Sequence, residues 1–171
     1  MIIFFLALIV FLLSIFQLTL APKILFLGIT PDFILAGVIS LAITARNPVF
    51  KWLVLGWAFF FDLLAGQPFG ILTLSFFAVF FFINWLANSW LKQSGFWAVL
   101  FLGIMGIVFF DLIVFLCQKI AAVFFAVPFR PSEFPEVLFN MSAGVLYNIL
   151  IFLAIFYLLE KFKFFFRRFQ R

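Results

Sequence analysis

The sequence predicts an all-α integral membrane protein with six spanning helices. Three counts and one pattern carry that prediction. Of 171 residues, 68% are apolar and only 10% are charged, and 33 are phenylalanine. So apolar a composition does not fit a soluble domain. Apolar stretches of about 20 residues, the length a helix needs to cross a roughly 30 Å hydrocarbon core, recur between short polar breaks. The spans are placed at residues 2–21, 31–45, 49–66, 69–91, 96–118 and 137–159, followed by a basic tail at 160–171, all in one membrane domain covering 1–171.

Absences narrow the chemistry. Cys117 is the single cysteine and histidine is missing, so neither a disulfide framework nor a thiolate cluster is available within the chain. The usual zinc sites, the Ser–His and Cys–His nucleophile pairs and a histidine proton shuttle go with them. No nucleotide-binding loop is recognisable. The expectation is a protein that is not an enzyme, with no catalytic residues, no metal and no cofactor.

The first span, 2–21, is continuous and apolar, with Gln17 and Thr19 marking its outer end. A cleaved signal peptide would carry a basic start, whereas here only the α-amino group is positive before Lys23, so cleavage is not expected. Thr30-Pro31-Asp32 then reads as a helix start, with a hydroxyl cap, a proline at the first position and an acid in the first turn. The second span is only about 22 Å long at about 1.5 Å per residue. Either the bilayer thins around it, or residues 24–29 also enter the membrane before Pro31. Asp32 is a first-turn acid satisfied by the helix, or else a contact to a partner or substrate.

Arg46-Asn47-Pro48 and Lys51 precede the third span, Trp52 to Gly70 with its turn, which is the expected organising stretch. It holds one carboxylate, Asp62, which in hydrocarbon must face protein, water or a partner. Leu55, Ala58, Ala65 and Gly66 share its helical row, a small-residue face where another backbone can approach. Gly66 can cap the helix, and Pro68 cannot continue it, so the chain turns and re-enters at Phe69-Gly70. The fourth span carries Thr73, Ser75, Asn84 and Asn88, polar groups suited to bonding between helices.

The fifth apolar run extends past Gln118-Lys119 to Val127, too long for one upright crossing, so a helix to Gln118 followed by an interfacial segment is expected. Asp111 is its deepest charge, sharing a face with Ile104, Val108, Phe115 and Gln118 and having no basic partner there. It must be neutral, paired with another helix, or hydrated. Three prolines in 128–136 argue for a stiff extended loop. On the last span Asn140, Gly144, Tyr147 and Asn148 line one side. The tail interleaves Lys and Arg with Phe directly after a membrane helix, which suits an anionic cytoplasmic leaflet rather than nucleic acid.

Charge orients the chain. Arg46, Lys51, Lys92 and the tail bases fall on one side, against Lys23, Lys119 and Arg130 opposite. The positive-inside rule therefore puts both termini in the cytoplasm.

An apolar first helix, Pro31-Asp32, Arg46-Asn47-Pro48 and then Gly56…Phe61-Asp62-Leu63-Leu64-Ala65-Gly66-Gln67-Pro68-Phe69-Gly70 together resemble the MreD family of bacterial rod-shape-determining membrane proteins. The ending, Tyr147-Asn148 and a basic tail, is also similar to that family. The resemblance implies a six-helix fold like the substrate-binding component of energy-coupling-factor vitamin transporters. It implies a scaffold in the inner membrane that binds MreC and acts in lateral peptidoglycan synthesis with MreB, RodA and a class B penicillin-binding protein. Under that reading Pro31, Asp32, Gly56, Ala58, Asp62, Ala65, Gly66, Pro68, Gly70, Asp111 and Asn148 are candidate partner or structural positions. The alternative is the substrate-binding membrane subunit of a small-molecule transporter, which would need a closed polar cavity near the outer leaflet.

Overall fold

The structure is a computed structural model that describes the backbone of residues 2–24, 30–44, 49–66, 68–90, 95–125 and 134–169. Side chains are described for residues 8, 11–24, 30–44, 51–66, 68–89, 95–124 and 144–161. Among the expectations above, the loops at 46–48, 92–94 and 128–133, the entry of residues 25–29 into the membrane, and the side chains of Asn140 and of residues 162–171 lie outside these.

The described residues form six α-helices and no strand. They are α1 (Ile2–Thr19), α2 (Phe33–Thr44), α3 (Val49–Leu64), α4 (Ile71–Trp90), α5 (Phe96–Phe125) and α6 (Phe134–Phe169), with a single 3₁₀ turn at Ala21–Lys23 after α1. Three of them are long and apolar enough to cross a membrane, over Ile71–Ser89, Phe96–Phe124 and Gly144–Lys161. The chain is thus an all-α membrane protein.

Two helices run further than their polarity suggests. α5 continues without a break to Phe125, so no interfacial segment separates at Gln118. The physical reason is local: from Ile107 to Phe125 there is no Pro or Gly to end a helix, and Lys119 stays within it by resting its ammonium 4.7 Å from the centre of the Phe115 ring. α6 likewise continues through Glu160 into the basic tail as far as Phe169.

The hub of the bundle is α2, not the Asp62 helix. α2 packs on α1, α4, α5 and α6, while α3, α4, α5 and α6 follow one another around it and α1 lies on α2 and α3. Every residue from Ile34 to Ser40 is buried. A helix that is apolar all round can be enclosed by protein as readily as by lipid, and here α1, α4, α5 and α6 enclose it. That also explains its length. A helix surrounded by other helices need not reach water at both ends, provided its terminal N–H and C=O groups find partners below the surface.

Around α2 the interior is filled by large side chains. Phe76, Phe80, Ile83, Ile107 and Phe152 are each within 1% of full burial, and the Phe76 and Phe110 rings stack with centroids 4.7 Å apart. α5 comes close to two neighbours through glycine. A Cβ on Gly103 would lie 2.5 Å from Phe152 of α6, and one on Gly106 would lie 2.7 Å from Ile39 of α2. Both glycines are therefore needed for contact rather than for turning. Gly37 of α2 gives the same kind of access to the Trp57 ring of α3, 3.0 Å from its would-be Cβ.

Candidate functional site

α3 ends where the sequence allows nothing else. The Ala65 N–H still donates to Phe61 O at 2.9 Å, and Gly66 then adopts φ +67°, the left-handed conformation that closes a helix and that a side chain resists. Pro68 and Phe69 lead to Gly70, also at positive φ (+99°), and α4 begins at Ile71. The two glycines reverse the chain in so few residues that the last turn of α3 faces the first turn of α4.

Asp62 occupies that gap. Its carboxylate is 2% exposed and accepts four hydrogen bonds from the start of α4. Oδ2 takes the Gly70 N–H at 2.6 Å, the Thr73 hydroxyl at 2.8 Å and the Thr73 N–H at 3.3 Å, and Oδ1 takes the Leu72 N–H at 3.4 Å. The first N–H groups of a helix have no partner within it, and an acceptor placed over them serves as a cap. Here the cap comes from the preceding helix. An acid in the last turn of α3 would be disfavoured by that helix's own dipole, and the positive end of α4 compensates.

The Asp62 row is accordingly occupied from within. Ala58 is 1% exposed and Asp62 is buried, with Ala65 and Leu55 half-buried beside them, and α4 packs against α3. Gly56, in contrast, is exposed, with nothing within 4 Å of a Cβ built on it. Beside the turn a shallow open hollow of about 290 Å³ lies between α3 and α4, lined by Leu55, Phe59, Phe69, Gly70, Thr73, Leu74 and Phe77. Its one polar side chain, Thr73, has already given its hydroxyl hydrogen to Asp62.

A second polar group surrounds the start of α2. Asp32 Oδ1 accepts the Leu35 N–H at 2.8 Å, so Asp32 itself, and not the expected Thr30 hydroxyl, caps α2, which starts at Phe33 and leaves Pro31 outside the helix. The Asp32 N–H donates to Asn148 Oδ1 of α6 at 2.8 Å, and the Phe33 N–H donates to Gln17 Oε1 of α1 at 2.8 Å. Gln17 also donates through Nε2 to Pro31 O at 2.7 Å. The tip of the buried hub is thus held from both sides, by α1 and by α6. Tyr147 adds a bond from its hydroxyl to Ile24 O at 3.2 Å.

Asp111 lies within electrostatic reach of this second group. It is half-buried on α5, and the carboxylate whose field reaches it is that of Asp32. Among the described residues its own carboxylate has no hydrogen-bond partner. Asp62 and Asp111 are therefore in different settings, one supplied with four donors from the start of α4 and the other open.

Two residues with structural roles were not singled out from sequence. Gln17 does more than mark the end of α1, and Trp57 reaches from α3 to donate its indole N–H to Ser14 of α1 at 2.7 Å in a buried site. The signal was present: a tryptophan with a buried ring needs a partner for its N–H, and a hydroxyl in an apolar span offers one. Among the described residues no three of Cys, Asp and Glu come together to hold a metal.

No family model, curated protein or solved structure matches this chain. The class that the fold and the site define is a helical membrane protein with a filled interior, in which two buried-end carboxylates cap the chain's own helices.

Proposed function

We propose that the chain is a non-catalytic membrane scaffold of the MreD kind, acting in the bacterial cytoplasmic membrane with both termini in the cytoplasm. It binds the membrane helix of MreC and, through it, works beside RodA, a class B penicillin-binding protein and MreB in building the lateral wall. The observation that carries this reading is where Asp62 and Asp32 are spent. Both acids of the recognisable motifs serve as caps within the fold, at 2.6–3.4 Å and 2.8 Å from backbone donors, so the motif describes a way of building the bundle and leaves the exterior for partners. The six-helix arrangement resembling a vitamin-transporter subunit is part of the same proposal.

A carrier would need a polar chamber. The positions that would line one are held by Phe76, Phe80, Ile83, Phe110 and Phe152, and the described hollow between α3 and α4 is open and apolar. This favours the scaffold over the transporter subunit.

A pull-down of the tagged protein from gently solubilised native membranes, read by mass spectrometry, tests the proposal. Recovery of MreC with wall-synthesis proteins is expected. Recovery of an ATPase pair and a coupling subunit would overturn it in favour of uptake. Asp62→Asn, run in parallel, is expected to lower the yield of folded protein rather than to remove MreC selectively from the protein that does fold.

A further inference from the structure

Among the described residues every buried side-chain N and O has a hydrogen-bond partner, and the polar side chains left without one include two at the accessible edge of α5. Asp111 and Gln118 lie seven residues apart, so they fall on one side of the helix, about 10 Å apart along its axis. Both are half-buried, and among the described residues neither has a hydrogen bond. Ile104 and Phe115 share the stripe and are also half-buried, while Val108 and Leu112 border it and are exposed. This stripe runs along the edge of α5 between its packed side, where Gly103, Gly106 and Phe110 meet neighbouring helices, and its lipid-facing side.

A carboxylate at that depth is costly in hydrocarbon, by at least a few kcal/mol on insertion scales. Asp62 and Asp32, by contrast, have protein donors: Asp62 has four and Asp32 has the Leu35 N–H. Asp32 supplies none to Asp111, since it adds a second negative charge nearby. Among the described residues the charge that reaches Asp111 is that carboxylate, so the missing counterpart is a donor or a cation.

We propose that the Asp111–Gln118 stripe of α5 is the docking face for a membrane-spanning helix of a partner protein, which brings a cationic or N–H-bearing side chain to Asp111. The complement is one of charge: an acid lying beside a second acid, at a lipid-accessible edge, selects a basic or amide-bearing helix over a purely apolar one. Gln118 provides a second polar register point two turns along, and Ile104 and Val108 provide apolar contact beside Asp111. This rests on the scaffold reading and extends it, by assigning the face through which the scaffold works.

The test is photo-crosslinking of the full-length protein in native membranes, with a photoreactive residue at Leu112 for the stripe and at Leu63, on the exposed side of α3, for comparison. Crosslinked peptides are mapped by mass spectrometry. The expected result is a crosslink from Leu112 into a membrane-spanning segment of one partner, reduced about ten-fold or more by Asp111→Leu, less by Asp111→Asn, and also reduced by Gln118→Leu. Gln118→Leu keeps the test decisive should Asp111→Leu accumulate poorly. Crosslinks from Leu112 only to lipid or to a second copy of this chain overturn the proposal, as does a yield unchanged by Asp111→Leu and Gln118→Leu. Capture of MreC from Leu63 but not Leu112 retains the MreC reading and removes this face. Capture from Leu112 of a different membrane helix, with the same dependence on Asp111, retains the face and removes MreC.

Discussion

Asp62 stands at the unfavourable end of one helix and the favourable end of the next, and its worth to the protein lies in that second relation. Replacing it with alanine strands the Gly70 N–H and the Thr73 hydroxyl in a buried turn. The expected loss for Asp62→Ala is about 2–4 kcal/mol of stability, combining a lost cap with unsatisfied donors. Thr73→Val removes one of the four bonds and should cost about 1 kcal/mol. Thermal unfolding of the detergent-solubilised variants, followed by tryptophan fluorescence, checks both, and equal midpoints for Asp62→Ala and wild type would refute the capping account. Trp57→Phe makes a parallel case between α1 and α3. It removes the 2.7 Å bond to Ser14 while keeping most of the ring's bulk, with an expected cost of about 1 kcal/mol.

At the scale of the helix, contact depends on where a side chain is absent. Gly103 and Gly106 admit Phe152 and Ile39 to the backbone of α5, whereas Gly56 faces open space. Gly103→Ala and Gly106→Ala should each destabilise the bundle by about 1–3 kcal/mol, because buried rings and branched chains have no room to retreat. Gly56→Ala should be neutral or slightly stabilising, since alanine is the better helix former and nothing opposes its methyl group. A comparison of unfolding midpoints across the three variants decides the matter. If all three behave alike, the close approach of α5 to α2 and α6 is not what the glycines provide. The helices α2 and α5 also show why faces were hard to assign from sequence. Both are apolar nearly all round, so periodicity does not say that one is the enclosed hub and the other a half-exposed wall.

At the scale of the molecule, the fold is a bundle whose short central helix is held at its tip by Gln17 and Asn148 and at its far end by Asn84, whose amide donates to Ala42 O at 2.9 Å. Its proposed placement in the bilayer rests on charge. A fluorescent-protein fusion at the C-terminus should fluoresce, and an alkaline phosphatase fusion at the same point should be inactive, if the basic tail is cytoplasmic. The reverse pair of results would invert the orientation.

What the sequence determined by itself is everything set by local chemistry. Apolar run length marks the helices, an acid near position 32 marks the start of one though its role as the cap does not show, Gly66 with Pro68 ends another, and missing histidine and paired cysteine remove whole classes of site. Each of these acts within a few residues, where sequence distance and spatial distance agree. The tertiary structure alone decided that Asp62 bonds to α4, that Asn148 meets Asp32 across more than a hundred residues, that α2 is the hub, and that Asp111 is left open. Those outcomes depend on which surfaces meet once all six helices compete for the same neighbours. In a chain where almost every surface is apolar, shape and a few polar contacts make that choice, and neither is visible in hydropathy.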